Sequence, residues 1–91
     1  MDRRDVSVVS HSQGGLSVIR MVMAPNATFS YVSDTSVATV LQGSGQVLDL
    51  DSDTSSILTP GQTYLIDKGT SVEFRNTMPM EMIVSFVNQQ T

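Results

Sequence analysis

PGQTYLIDKGTSVEFRN, residues 60–76, is the stretch whose reading decides the fold. In its last six residues Val72, Phe74 and Asn76 alternate with Ser71, Glu73 and Arg75. Side chains of a strand point to opposite faces with period two, so the apolar set turns inward and takes Asn76 with it. Gly61 and Gly69 punctuate the stretch where the chain must turn back. The same grammar extends outward. Short runs rich in Val, Ile, Thr, Tyr and Phe, broken by Gly, Pro, Asn and Asp, predict strands near 6–10, 16–23, 37–42, 46–50, 56–59, 62–66, 71–76 and 81–87. No stretch sustains a 3.6-residue period. The fold class is therefore all-β, a small β-barrel or sandwich of about eight short antiparallel strands.

Length and charge bound the function. A chain of 91 residues supports a single domain over 1–91, with residues 1–15 forming an N-terminal strand and turn. It has no Cys, which removes disulfides, thiolate metal sites and a Cys nucleophile. Nine acidic residues against five basic ones give a net charge of −4, the wrong sign for a nucleic-acid partner, and only Arg3 and Arg4 adjoin. MDRRD is followed by VSVV and not by a long apolar run, which predicts neither a signal peptide nor a membrane anchor and a cytoplasmic protein. The sequon Asn26-Ala27-Thr28 then has no glycosylation to serve.

Several motif-like features reduce to structure. Asp49, Asp51 and Asp53 imitate the start of a calcium loop, but Thr54 and Pro60 stand where its Gly and Glu belong, so a solvated hairpin is expected. Gly43-Ser44-Gly45 has no Gly-Lys-Ser/Thr after it and reads as a strand connection. The single His, His11 in SHSQGG, reads as an exposed turn residue. Met78, Met80 and Met82 read as flexible packing groups. Strand 16–23 is apolar on both faces apart from Ser17 and Arg20, which implies cover on both sides, one of them from a partner subunit. Arg20 either snorkels to the rim or points inward to hold an anion.

Spacing brings in a known family. Gly61, Gly69 and Asn76 fill three positions of the second cupin motif, G-x5-P-x-G-x2-H-x3-N, without insertion, while Asp67 replaces its Pro and Val72 its metal-binding His. VLQGSGQV at 40–47 resembles the end of the first cupin motif. Counting back from it puts Ser36 at the seat of the metal-binding Glu, and Phe29 and Tyr31 at those of the two His. APNAT at 24–28 resembles the turn before that motif. The glycines carry the resemblance. Gly43, Gly61 and Gly69 stand at turns that call for positive φ or close backbone approach, demands that belong to the fold and not to metal chemistry.

The resemblance implies a jelly-roll barrel, while the departures from its motifs, with Phe29, Tyr31, Ser36 and Val72 at the ligand seats and one His in the chain, predict no metal or other cofactor. Its ligand-binding set is Phe29, Tyr31, Ser36, Tyr64, Val72, Phe74 and Asn76, with Arg20 as the candidate anion contact. Ala38, Val40 and Ile66 complete the inward set, with Met82, Val84 and Phe86 deeper. Such a pocket suits a small, mostly apolar ligand held by few directional groups. The resemblance also implies a homodimer whose N-terminal strands extend the partner's sheet, with no nucleic-acid or membrane partner. Two alternatives stand beside the binding protein. One is a small metal-free cupin enzyme of the pyrimidine/purine nucleoside phosphorylase type, which needs a phosphate site. The other is an interaction domain with a completely filled barrel.

Overall fold

The computed structural model describes residues 5–32 and 34–89, so Arg3 and Arg4 lie outside the described residues. It is all-β, with nine antiparallel strands among those residues: β1 (Val6–Gln13), β2 (Leu16–Met23), β3 (Thr28–Val32), β4 (Ser36–Gln42), β5 (Gly45–Asp49), β6 (Thr54–Leu58), β7 (Thr63–Ile66), β8 (Ser71–Asn76) and β9 (Met82–Gln89). Among the described residues no helix is long and apolar enough to cross a membrane. The strands form a five-stranded sheet ordered β1-β2-β9-β4-β7 and a four-stranded sheet ordered β3-β8-β5-β6. The two sheets share no ladder among the described residues, so of the sandwich or barrel that the strand pattern allows the jelly roll is a two-layer sandwich, and not the closed barrel that the resemblance implies.

β3 is a strand that the sequence pattern does not predict. TFSYV alternates Phe29 and Tyr31 inward with Thr28, Ser30 and Val32 outward, and it pairs with β8 from Thr28↔Arg75 to Val32↔Ser71. His11 is also corrected. β1 runs on to Gln13, so His11 is a strand residue paired with Val18 and not part of a turn.

The core lies between the sheets. Inward positions of β8 and β9, with Met21, Met23, Val40, Val47 and Leu58, form one buried cluster. Sealing such side chains from water contributes about 1.5–3 kcal/mol each, which is what holds a small sandwich together. Gly43, Gly61 and Gly69 adopt φ of 80°, 84° and 85°, the left-handed conformation expected at these turns. Just before Gly43 the β4–β9 register shifts between Val40 and Gln42, a bulge at the end of β4.

Asp49 and Asp51 hold the hairpin after β5 through backbone amides. Asp49 Oδ1 accepts from the N–H of Asp51 at 3.0 Å and of Ser52 at 3.2 Å, and Asp51 Oδ2 accepts from Ser71 N–H at 3.0 Å. These carboxylates serve the loop, as the failed calcium pattern implies.

Candidate functional site

The positions where the sequence places metal ligands carry rings and aliphatic groups in a packed interior. Tyr31 pairs with Val72 and Phe29 with Phe74 across the β3–β8 ladder. Phe86 enters from the opposite sheet. Ring centroids are 5.5 Å apart for Phe29–Tyr31, 6.1 Å for Tyr31–Phe74, 5.7 Å for Tyr31–Phe86 and 5.2 Å for Phe74–Phe86, the last two edge-to-face. Edge-to-face contacts add about 0.5–1.5 kcal/mol each beyond burial. Ser36 sits on β4 in the facing sheet and is 2% exposed. Transition metals need convergent imidazole, carboxylate or thiolate groups, and Phe29, Tyr31, Ser36 and Val72 offer none. Among the described residues no group of three or more His, Cys, Asp or Glu side chains could hold a metal ion. The residues do not fit the metal of the cupin motifs.

Asn76 clasps the backbone. Its Nδ2 donates to the carbonyls of Met23 at 3.1 Å, Ala24 at 3.0 Å and Met80 at 2.7 Å, while its Oδ1 accepts from Met78 N–H at 3.1 Å. Its own N–H and C=O bond to Ala27 and Asn26. With its amide N–H groups shared among three carbonyls and its Oδ1 accepting from a backbone amide, Asn76 is committed to holding two loops. Val72 and Phe74 are fully sealed beside it.

An opening remains at one end, between β1, β2 and β9 on one side and β3 on the other. It has a volume of about 100 Å³ and is lined by Val8, Ile19, Met21, Phe29, Tyr31 and Phe86. Of the residues singled out from sequence as ligand-binding, Phe29 and Tyr31 reach this opening. Tyr64 is half-buried on β7, paired with Ala38. Arg20 faces away from the interior, on the outer surface of the five-stranded sheet, and that face of β2 is exposed at Leu16 and Val18 within this chain. Val8, Ile19 and Met21 are lining residues that sequence reasoning misses. The alternation of β1 and β2 carries that signal, but only once the facing strand is known.

A polar row also runs across the ladders of the larger sheet, Ser12↔Ser17↔Asn88↔Ser36, and is buried from Ser17 to Ser36. Ser12 and Ser17 share a hydroxyl hydrogen bond of 2.7 Å. Asn88 Oδ1 is buried without a hydrogen-bond partner among the described residues.

No protein-family model matches the chain, and no curated protein sequence matches it. Solved structures do. The cupin domain of Schizosaccharomyces pombe Cnp3 superposes with a TM-score of 0.85 at 12% identity, over 98% of this chain and 67% of that one. A cupin superfamily protein from Desulfitobacterium hafniense DCB-2 gives 0.83 at 10% identity, over 100% and 83%. An oxalate oxidase gives 0.82 at 19% identity, over 98% of this chain and 53% of that one, so the chain spans about half the length of that protein. At these identities the likeness is one of fold.

Proposed function

We propose that this chain, which has the cupin fold, is a metal-independent binding protein that takes a small apolar group into the opening between its sheets. The observation that carries this reading is the apolar mouth at Phe29 and Tyr31, beside an interior whose metal seats are filled with side chains. Its size sets the ligand class. An apolar cavity of about 150 Å³ accepts benzene, so an opening of about 100 Å³ takes a short alkyl group or the edge of one ring. A nucleoside is too large. No described cation lines the opening, which counts against the phosphorylase alternative. Arg20 is on the other face, and Arg75 is paired with Glu73.

Titrating isotope-labelled protein with toluene tests the reading. Amide shifts are expected at Ile19, Phe29, Tyr31 and Phe86, and Ile19→Phe, which fills the mouth, is expected to weaken binding by about tenfold or more. Toluene shifts spread over the surface, or unchanged in Ile19→Phe, would overturn it. Elemental analysis after dialysis is expected to find well under about 0.1 transition metal per chain; about one per chain would end the metal-free reading.

A homodimer is favoured by one specific feature. β1 is an edge strand of eight residues, exposed along nearly its whole length and carrying Val8 and Val9, an edge of the kind that proteins usually cover or charge. Sedimentation is expected to give twice the 9.8 kDa chain mass, and a monomer at about 100 μM would exclude this assembly.

A further inference from the structure

The five strands of the larger sheet contain no Asp or Glu, in a chain whose net charge is −4. Every described acidic residue lies on the four-stranded sheet or in a loop. The charged and titratable side chains of the larger sheet's strands, Tyr64 aside, are Arg20 and His11, and both turn to its outer face. Register brings them together. Val9, Arg20 and Ser85 share one rung across β1, β2 and β9, while His11 and Val18 share the next rung on the same face, two residues along. Diagonal neighbours on adjacent strands are about 7–8 Å apart, close enough for Arg20 and His11 to meet one ligand group between them. These five residues line a groove of about 300 Å³, at the lower bound of small-molecule sites.

The groove has two chemistries side by side. Arg20 has no carboxylate partner among the described residues, and its guanidinium is suited to bidentate pairing with a carboxylate. Ser85 adds a hydroxyl donor from the next strand. Val9 and Val18 form apolar walls, and the Val18 rung continues through Val87 and Val37 to Leu65, all without a polar interruption. From this juxtaposition we propose that the outer face of the larger sheet is a second binding site, for a small amphipathic carboxylate. The acid group sits between Arg20, His11 and Ser85, and the apolar chain lies along the Val18 rung. Face-to-face packing of a second copy is the poorer occupant, because this face supplies no acid to answer Arg20 and would bury like charges against each other. Edge pairing through β1 leaves the groove open.

The test is an amide-shift titration of the full chain with sodium hexanoate, with 1-hexanol and inorganic phosphate as controls. Hexanoate is expected to move Val9, Arg20 and Ser85 and to bind at least about fivefold more tightly than either control, the loss expected when a charged hydrogen-bonding group or the apolar chain is missing. Arg20→Ala is expected to weaken hexanoate about tenfold and to leave toluene binding at the other site unchanged, so the two readings fail separately. Arg20→Gln, which keeps much of the stem, and Ser85→Val, which keeps the shape of the rung, guard against a folding defect in the first variant. Equal binding of hexanol, equal binding of phosphate, an Arg20→Ala variant that binds hexanoate normally, or shifts confined to the Phe29–Tyr31 end would each overturn the site. So would a dimer that buries Arg20 and excludes hexanoate.

Discussion

An Asn76→Ala chain is expected to lose about 3–5 kcal/mol of folding stability, a large share of the roughly 5–15 kcal/mol available to a domain. The size follows from the number of backbone groups left stranded. Truncation removes the partner of three carbonyls, at Met23, Ala24 and Met80, and of the Met78 amide, at a residue only 2% exposed. Each buried polar group left unpaired costs about 1–3 kcal/mol, and water reaching the loop edges recovers part of it. Asn76→Asp sharpens the test, since its volume is nearly unchanged. An ionised carboxylate cannot donate to three carbonyls, so this variant is expected to be at least as unstable at pH 7. Its folded state holds the proton more tightly than the unfolded chain, whose carboxyl ionises near pH ~3.9. The folded form then binds more protons, and stability falls as pH rises above that value. Urea denaturation of both variants between about pH 4 and 7 reads these outcomes. Midpoints within a few tenths of a molar of the parent would show that Asn76 is not the clasp and would free it for a ligand role.

The same residue marks how far the sequence can be read. The inward set Val72, Phe74, Asn76 follows from alternation alone, and all three are buried. The turns with positive φ at Gly43, Gly61 and Gly69 follow from glycine placement. Alternation cannot tell a ligand-facing Asn from a loop-holding one, because two of its partners, the carbonyls of Met23 and Ala24, stand 53 and 52 residues away. In β2 the period itself is uninformative. Ile19, Met21 and Met23 face in and Leu16, Val18 and Val22 face out, so both faces are apolar, and each holds one polar residue, Ser17 inward and Arg20 outward. The direction of Arg20 is undetermined in the sequence for that reason. β3 has five residues with Ser at its centre, and no Gly or Pro closes the run before β4, so nothing marks it off from the segment around it. The opening at Phe29 and Tyr31 and the outer groove at Arg20 both depend on which strands become neighbours, a property of the sheet order that no local pattern contains.

Gly45→Ala is expected to be the most damaging single methyl in the chain, costing more than about 3 kcal/mol or preventing folding. The reason is proximity and not backbone conformation. A Cβ at this position would stand 2.1 Å from the carbonyl oxygen of Arg75 and 3.0 Å from Met82 Sδ. The sulfur belongs to a flexible side chain and can yield. The carbonyl cannot, because Gly45 pairs with Asn76 in the β5–β8 ladder and with Leu58 in β5–β6. Relief requires β5 to withdraw from β8, which strains the ladder at the residue that clasps the 23–27 and 78–80 segments. Gly61 and Gly69 supply the comparison. They have φ of 84° and 85°, and a methyl added at either would find nothing within 4 Å, so alanine there meets only conformational strain, about 1–2 kcal/mol. Thermal unfolding of the three variants should separate Gly45→Ala by well over about 5 °C from the other two. Equal midpoints would mean that β5 has room to move and that the close approach of β5 to β8 does not hold Asn76 in place. The glycine pattern shared with the metal-binding cupin motifs is then explained without any metal: Gly45 lets two strands touch, Gly61 and Gly69 let the chain turn, Gly43 does both, and these needs persist when the interior is filled with rings.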